Sequence, residues 1–477
     1  MGWDLVVENG TVVTMDPERR VLRGGSIGVA GGRIVAVVGP GEELPAAGRW
    51  IDASGMIVLP GIVDTHAHAG HCLTRGLGDG WESGPWIELM TTVYDHASDE
   101  AFWRAESRLA ALERLKFGVT TSLSMTGSAP RIDDPRYALA SSSGYAALGL
   151  RHVVATGPTG VRWPQRYTDR SVGSPRPVEL DLDAALRATG DVLAAVRDLG
   201  NERISAVLAP AYLMPGQRER PETVAQLRGL VELLGRHGVG FHSHAFARQI
   251  ADAHAIAPEL FGPHASLAHC AGISMEEVAL LAETGTAISH GPLTHAYAEA
   301  RCPVVEALEA GVNVVVSTDG TAPDRSFDLI AQARVAAQLQ RVHDHDTTLL
   351  PAGRLLAMIT VDAARAIGMD AQVGSIEVGK RADLILLDAR QAHLAPEILA
   401  PLRVVGHATG QDVDTVIVGG EVLMEGRVVA GVDEDAILAD ARDALMATLE
   451  RTTYGDPEAM HPALWHGLRY GDGAGTA

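Results

Sequence analysis

Hydrophobic and polar positions follow two different patterns along the chain, and the changes between them divide it into parts. Residues 1–59 contain short apolar runs at positions 5–7, 10–14, 26–30 and 33–38. Asn-Gly, Gly-Gly and Gly-Pro pairs separate these runs, and such pairs are typical of tight turns. The first part of the chain is therefore predicted to form a small β unit.

Residues 60–370 show a different pattern, in which apolar strands alternate with amphipathic helices. Helices are predicted over residues 101–116, 182–199 and 222–237. Alternating strands and helices predict parallel strands joined by right-handed crossovers. Eight such strands predict a closed (β/α)8 barrel, a TIM barrel of the α/β class. They comprise the run before His66 and residues 119–123, 150–155, 204–210, 240–245, 265–269, 286–290 and 312–317.

The chain returns to short strands over residues 371–430, with apolar runs within 374–388, 415–418 and 421–424. Residues 431–477 are predicted to form a surface helix over 433–451 and a tail that carries Trp465 and Tyr470. The pattern alone allows two separate β units, one at each end of the chain. It also leaves open whether the tail packs on the surface or on a neighbouring subunit.

Composition and charge exclude several classes of partner. The chain has 39 Lys and Arg residues against 60 Asp and Glu residues, a net charge of −21. Nucleic acid and anionic membranes both require a positive surface, so neither is expected to bind. The sequence contains no run of about 18 apolar residues, so no membrane span is predicted. The N-terminus lacks the pattern of a signal peptide. Cys72, Cys270 and Cys302 lack the spacing of a disulfide framework, and we expect a cytoplasmic protein.

Histidines collect where the predicted barrel strands end. His66 and His68 are two residues apart on a strand, so their side chains point to the same side. Two imidazoles on one face are half of a metal site, although a hydrogen-bonded pair of core histidines is the alternative. Functional residues of such barrels lie at the carboxyl ends of the strands. The other polar residues at predicted strand ends are Ser122, Ser124, His242, His244, His269, His290 and Asp319.

The segment Pro60-Gly-Ile-Val-Asp-Thr-His-Ala-His68 resembles the amidohydrolase superfamily. Leu73-Thr-Arg-Gly76, the later histidines and Thr318-Asp-Gly320 follow in the order of that family. The resemblance covers nearly the whole chain and is greatest to the branch of triazine hydrolases and guanine and cytosine deaminases. It implies that both chain ends build one β-sandwich beside the barrel. It also implies a small-molecule substrate and a homo-oligomer.

The resemblance implies roles for the strand-end residues. His66, His68, His244 and Asp319 match the family's ligands for a divalent transition metal, and Asp319 also matches its proton acceptor. Three nitrogens and a carboxylate suit Zn²⁺, and also Fe²⁺, Mn²⁺ or Co²⁺. His269 matches the histidine that contacts the reacting group. No lysine lies in residues 204–210, where two-metal relatives carry a carboxylated lysine, so a single ion is predicted.

Several positions keep two interpretations. His242 lies two residues before His244 on the same face, so it is either the ligand in another register or a supporting or core residue. Substrate contacts are predicted for His242, His290, Arg75 and Trp86. A structural hydrogen bond is the alternative for His290, and buried aromatic packing for Trp86. His343 and His345 are predicted to lie in a solvated loop.

One departure from the family changes the predicted substrate. Deaminases of this branch carry a glutamate three residues after the histidine of the fifth strand, and it protonates the ring nitrogen. Here that residue is Ala247, or Ala245 in the other register. The main prediction is therefore a metal-dependent hydrolase of amide, urea or carbamate bonds. The alternatives are a deaminase or dechlorinase of an aromatic heterocycle, and a non-catalytic barrel that binds a small molecule.

Overall fold

Two large sheets organise the chain, which a computed structural model describes over residues 2–159, 163–171, 173–296 and 300–455. The strands are β1 (Trp3–Val13), β2 (Val21–Ala30), β3 (Arg33–Val38), β4 (Ala47–Asp52), β5 (Met56–Pro60), β6 (Ile62–Ala69), β7 (Val119–Thr126), β8 (Arg151–Thr156), β9 (Gln165–Asp169), β10 (Arg176–Leu180), β11 (Ile204–Leu208), β12 (Phe241–Phe246), β13 (Ala265–Ala271), β14 (Ala287–His290), β15 (Val314–Val316), β16 (Leu384–Asp388), β17 (Val413–Val418), β18 (Glu421–Glu425) and β19 (Val428–Val429).

Helices cover the barrel and connect its strands. They are α1 (Ser83–Thr91), α2 (Glu100–Lys116), α3 (Pro135–Leu148), α4 (Leu182–Asp198), α5 (Pro221–His237), α6 (Gln249–Ile256), α7 (Met275–Thr284), α8 (Val304–Glu309), α9 (Leu329–Asp344), α10 (Ala352–Met358), α11 (Val361–Ala366), α12 (Ala400–His407) and α13 (Glu434–Leu449). A π-helical turn, Thr92–Ala97, follows α1. In the part of the chain that the structure describes, no helix is long and apolar enough to cross a membrane.

The predicted (β/α)8 barrel is confirmed. Its strands pair in parallel in the order β6, β7, β8, β11, β12, β13, β14, β15. The end of β15 lies beside β6, since the Asp319 N–H donates to the His66 carbonyl over 3.0 Å and the Thr318 N–H donates to Asp64 Oδ1 over 3.1 Å. This closure brings the first and last strands together at the mouth of the barrel.

The second sheet confirms that both chain ends build one unit. It has nine strands. Strand β5 pairs on one side with β1, which is also from the N-terminal part, and on the other side with β16 from the C-terminal part. Leu59 pairs with Ile385 and Ile57 with Leu387 across this junction. Because β5 leads through Gly61 directly into β6, the sheet fixes the start of the strand that carries His66 and His68.

The C-terminal helix packs against the barrel. The Lys116 ammonium pairs with Glu434 over 2.6 Å, and Arg108 pairs with Asp440 over 2.5 Å, which joins α13 to α2. Beyond the helix, Arg451 donates to the carbonyl of Ala97 over 3.0 Å. These contacts fix α13 beside the π-helical turn. Trp465 and Tyr470 of the predicted tail lie outside the described residues.

Local structure differs from the sequence pattern in four places. The predicted turn at Asn9-Gly10 is wrong, because Asn9 adopts a φ of +63° and β1 continues through a bulge. Most of residues 374–388 is not a strand, because only β16 pairs with neighbours. The hairpin β9–β10 was not predicted, since its sequence is largely polar. His343 lies at the exposed end of α9, so it is solvated but helical.

Candidate active site

The predicted ligand and catalytic residues converge at one mouth of the barrel. They come from four neighbouring places in the fold: β6, β12, β13 and the turn after β15. Every one of these side chains is buried. Strands that are distant in sequence therefore supply one cluster, whose members are His66, His68, His244, His269 and Asp319.

The Nδ1 atoms of three histidines face away from the centre of the cluster. His68 Nδ1 donates to the carbonyl of Gly127 over 2.7 Å, and His244 Nδ1 donates to the carbonyl of Ala211. His66 Nδ1 lies 2.9 Å from His242 Nε2. Since each Nδ1 has a partner behind the ring, the three Nε2 atoms are directed toward each other.

The distances between the inward atoms suit a metal ion. His68 Nε2 lies 3.1 Å from His244 Nε2, and Asp319 Oδ1 lies 3.2 Å from His68 Nε2 and 3.4 Å from His66 Nε2. Two ligand atoms at corners of a tetrahedron around Zn²⁺ are about 3.3 Å apart, given zinc–nitrogen bonds near 2.0 Å. His66 Nε2 is buried without a hydrogen-bond partner, as expected of an atom that faces a cation. The donor set therefore fits a divalent ion.

Burial favours the neutral form of His66 and His244, which metal binding requires. It lowers the pKa of His66, although the nearby Asp319 carboxylate opposes the shift. The pKa of His244 is well below the ordinary value because of burial and then the neighbouring rings of His66 and His68. Neutral imidazoles present a lone pair at Nε2 once Nδ1 carries the proton.

Asp319 is held at its outer oxygen by two donors. Thr294 Oγ1 donates to Oδ2 over 2.7 Å, and the Arg325 guanidinium donates over 3.0 Å. Burial would raise the pKa of Asp319, but the Arg325 guanidinium and the neighbouring rings of His66 and His68 outweigh it, so the pKa is well below the ordinary value. The carboxylate is therefore charged, with Oδ1 turned toward the histidines.

The turn after β15 depends on close packing. Asp319 has a φ of +58°, and a Cβ at Gly320 would lie 1.8 Å from His71 Nδ1, so only glycine fits beside the His71 ring. On the other side, Asp64 accepts from Thr318 Oγ1 over 2.5 Å and from Arg114 over 2.6 Å. The hydrogen bonds from Thr318 tie the turn to β6 two residues before His66, and the buried ion pair with Arg114 holds Asp64 in place.

A cavity of about 280 Å³ opens above the cluster. His68, His244, His269 and Asp319 form part of its floor. The walls are mostly aromatic and apolar, and include Trp81, Trp86, Ile87, Tyr94, Tyr212, Phe246 and Pro323. A cavity of this size and lining suits a small organic molecule.

The predicted substrate contacts occupy different places. Trp86 lines the cavity. His242 and His290 are fully buried and are not among the lining residues, and Arg75 pairs with Glu113 over 2.6 Å outside the cavity. Ser122 bonds His152 over 3.0 Å in the barrel interior.

Several lining residues could not be found from the sequence pattern. Phe246 could have been found, because it lies two residues after His244 on the same face of β12. Its ring stacks on His269, with the ring centroids 5.6 Å apart. Tyr94 and Asp95 reach the cavity from the π-helical turn, and Arg325 reaches it from the loop after β15. No periodicity indicates such positions.

Asp95 is an unusual lining residue. Its carboxyl is half-buried, and in the described part of the chain no donor hydrogen-bonds to it. Burial raises its pKa to about 7, although the Arg131 guanidinium opposes the shift. Asp95 and Asp319 are the carboxyl groups among the described residues that line the cavity.

No carboxylate stands at the position that the sequence singled out after His244. Ala247 is exposed, and its N–H donates to the carbonyl of Ala271 over 3.0 Å. It lines a separate groove beside Tyr212 and Arg248 instead of the cavity. Phe246, the residue before Ala247, lines the cavity and stacks on the His269 ring.

A parallel barrel with four histidines and an aspartate at its mouth is typical of barrel hydrolases. The family model described as "Amidohydrolase family" matches residues 57–423. A 5'-deoxyadenosine deaminase of Methanosarcina acetivorans is 30% identical over 92% of this chain and 97% of its own. A 5-methylthioadenosine/S-adenosylhomocysteine deaminase of Desulforudis audaxviator is 32% identical over 89% of this chain and 95% of its own.

Solved structures show the same fold. An adenosine deaminase from Xanthomonas campestris with bound zinc superimposes with a TM-score of 0.80 at 25% identity, over 93% of this chain and 98% of its own. Atrazine chlorohydrolase TrzN from Arthrobacter aurescens, complexed with zinc, gives a TM-score of 0.77 at 23% identity, over 92% of this chain and 100% of its own. The chain belongs to the amidohydrolase family, and it is a hydrolase of carbon–nitrogen bonds other than peptide bonds.

Proposed function

We propose that His66, His68, His244 and Asp319 hold one divalent ion, with zinc the best candidate. Their inward atoms have the spacing of a tetrahedral site, and two structural neighbours carry zinc. The other possible ligand group, His66, His269 and Asp319, shares two members with the first. One ion therefore accounts for both groups.

In the proposed reaction, several residues at the mouth of the barrel have separate roles. An ion in this position would lower the pKa of a bound water, so that hydroxide would be available near neutral pH to attack a carbonyl carbon. Asp319 accepts the proton of the attacking water and returns it to the leaving nitrogen. Thr294 and Arg325 hold Oδ2 of Asp319, so the carboxylate keeps its orientation during the transfer. His269 lines the cavity and polarises the carbonyl oxygen of the substrate.

The bond cleaved is proposed to be that of an amide, urea or carbamate. The observation that carries this choice is Ala247, which is exposed outside the cavity where deaminases of the branch carry a glutamate. Water addition to an aromatic ring places charge on a ring nitrogen, which then needs a proton donor beside the cluster. A carbonyl places that charge on its own oxygen, where His269 can stabilise it.

The cavity supports a substrate with a bulky apolar group on nitrogen. Trp86, Tyr94 and Phe246 present apolar surface above the histidines, and the volume of about 280 Å³ exceeds what a simple amide fills. We propose that an N-aryl or N-alkyl group occupies this space, while the carbonyl faces His269 and Asp319.

A deaminase is the second candidate, and two observations favour it. Relatives at 30–32% identity over nearly their full length are named as deaminases of adenine nucleosides. Asp95 also supplies a carboxyl group at the cavity that is partly protonated near neutral pH. A heterocycle that reaches Asp95 could take its ring proton there. The homo-oligomer and the cytoplasmic location stay predictions.

A substrate panel separates the two candidates. Purified enzyme is incubated with phenylureas, carbamates, N-acyl amines, aminotriazines, nucleobases and 5'-deoxyadenosine, and the amine or ammonia released is identified by mass spectrometry. Metal-stripped enzyme gives the background for each compound. We expect amine release from ureas, carbamates or amides, and turnover of the heterocycles lower by about a thousandfold because Ala247 supplies no proton donor beside the histidines. Efficient ammonia release from a heterocycle alone would replace this proposal with the deaminase.

A further inference from the structure

A row of three polar side chains runs behind the metal-binding cluster. His66 Nδ1 lies 2.9 Å from His242 Nε2, and His242 Nδ1 lies 2.8 Å from Ser266 Oγ. His66 and His242 have no solvent exposure, and Ser266 is 2% exposed. The row crosses from β6 through β12 to β13, so it connects three barrel strands below the cavity.

The direction of the hydrogen bonds follows from the inner end of the row. His66 Nε2 is buried, has no hydrogen-bond partner and faces Asp319 and His68. An imidazole binds a metal through an unprotonated nitrogen, so His66 must carry its proton at Nδ1. His242 Nε2 must then accept this proton's hydrogen bond. His242 therefore carries its own proton at Nδ1 and donates it to Ser266 Oγ.

We propose that His242 is a positioning residue that fixes the tautomer and the ring orientation of His66 for metal binding, and that Ser266 fixes His242 in turn. The inference rests on the proposed metal site. It also assigns the two histidines of β12 to different tasks. Both nitrogens of His242 are engaged by protein groups, whereas His244 Nε2 is directed at the cluster. His242 is thus neither the ligand nor a substrate contact.

Loss of the acceptor at His242 has a definite cost. Without it, the Nδ1–H of His66 is buried and unpaired, or the proton moves to Nε2 and blocks the metal-binding lone pair. Loss of such a supporting hydrogen bond typically lowers metal affinity 10- to 100-fold. A purely structural core histidine would instead lower the stability of the metal-free and metal-loaded protein equally. The two roles therefore give different results.

The test compares the metal affinity of three variants with that of the parent protein. His242→Leu removes both hydrogen bonds, His242→Gln keeps an oxygen acceptor and an N–H donor, and Ser266→Ala removes only the outer partner. Zn²⁺ affinity is measured by competition with a chromophoric chelator, and the rise in Tm on metal addition is measured for each protein. His264→Gln is the control, because His264 is exposed just before the opposite end of β13.

We expect His242→Leu to bind Zn²⁺ 10- to 100-fold more weakly and to show a smaller metal-induced rise in Tm. His242→Gln should recover part of the affinity, Ser266→Ala should lose a few-fold, and the control should match the parent. If His242→Leu does not fold, the test rests on His242→Gln and Ser266→Ala. Parental Zn²⁺ affinity in both of these variants would contradict the proposal. A parent protein that binds no Zn²⁺ contradicts the metal site itself, whereas equal affinity in all variants contradicts only the role of His242.

Discussion

His269 is the residue whose role is best separated from metal binding by a single substitution. It lines the cavity, is 6% exposed, and its ring stacks on His244 with centroids 5.2 Å apart. Its backbone has a φ of +68°, a conformation that asparagine tolerates better than most residues. Asparagine therefore removes the imidazole without adding backbone strain.

The variant His269→Asn should keep its metal and lose activity. We expect kcat/KM to fall by roughly 10²- to 10⁴-fold, the usual effect of removing a group that polarises or protonates the reacting atoms. Metal content by mass spectrometry and kinetics on the best substrate of the panel are measured on the same preparation, with His264→Asn as control. Loss of the metal together with activity would move His269 into the ligand set.

At the scale of single residues, the sequence predicted which side chains meet but not how they are supported. His66, His68, His244, His269 and Asp319 end apolar strands, so barrel geometry alone brings them together. The hydrogen bond from Arg325 to Asp319 comes from a loop with no periodic pattern, so the sequence did not indicate it. The bond between His66 and His242 joins positions 176 residues apart, and a spacing of two residues on β12 could not show which histidine faces inward.

The π-helical turn Thr92–Ala97 is the element that the sequence pattern did not predict and that shapes the cavity. Its backbone is held from outside, because the Arg131 guanidinium donates to the carbonyl of Tyr94 over 2.5 Å and to Ser98 Oγ over 3.1 Å. The turn directs Tyr94 and Asp95 into the cavity. A π-helical turn inside helical sequence is common at functional sites but has no apolar repeat of its own.

Replacement of Asp95 should stabilise the protein at alkaline pH. Its pKa of about 7 in the fold exceeds the value near 4 in an unfolded chain, so the folded state binds an extra proton between these values. Stability therefore falls as pH rises from about 4 to about 7. Asp95→Asn should raise the free energy of unfolding above pH 7 on the order of 1–3 kcal/mol, with no gain below pH 4.

Denaturant unfolding at several pH values measures this difference. The matched control is Asp435→Asn on the exposed side of α13, which removes the same charge from the surface. The control should stay within about 0.5 kcal/mol of the parent at every pH, as surface substitutions usually do. An Asp95→Asn protein whose stability follows the parent across the whole range would show that Asp95 titrates normally.

At the scale of the whole molecule, the barrel was predictable and the partner sheet only partly so. Strand and helix periodicity repeats through the barrel, and each strand pairs with the next strand of the barrel. The pairing of β5 with β16 joins segments more than 300 residues apart, and no local pattern specifies it. Only the resemblance to a family indicated that both ends form one sheet.

The architecture separates the proposed metal ligands from the residues that line the cavity. The proposed histidine ligands stand on buried strands and Asp319 follows the end of β15, while Trp86 stands on α1, Asp95 on the π-helical turn and Arg325 on the loop after β15. The packed barrel therefore fixes the positions of the proposed ligands, and we expect the segments between strands to set the specificity of the cavity. The exposed Ala247 fits this division, because alanine in place of a glutamate there leaves the positions of the proposed ligands intact.

The metal content of the purified protein tests the proposed single-ion site. Inductively coupled plasma mass spectrometry of the parent, of His68→Ala and of the control His264→Gln gives the number of ions per chain. We expect close to one transition-metal ion per chain in the parent and control, and loss of both metal and activity in His68→Ala, because that variant lacks one of the three proposed nitrogen ligands. Full metal content in His68→Ala, or two ions per chain in the parent, would contradict the proposed site.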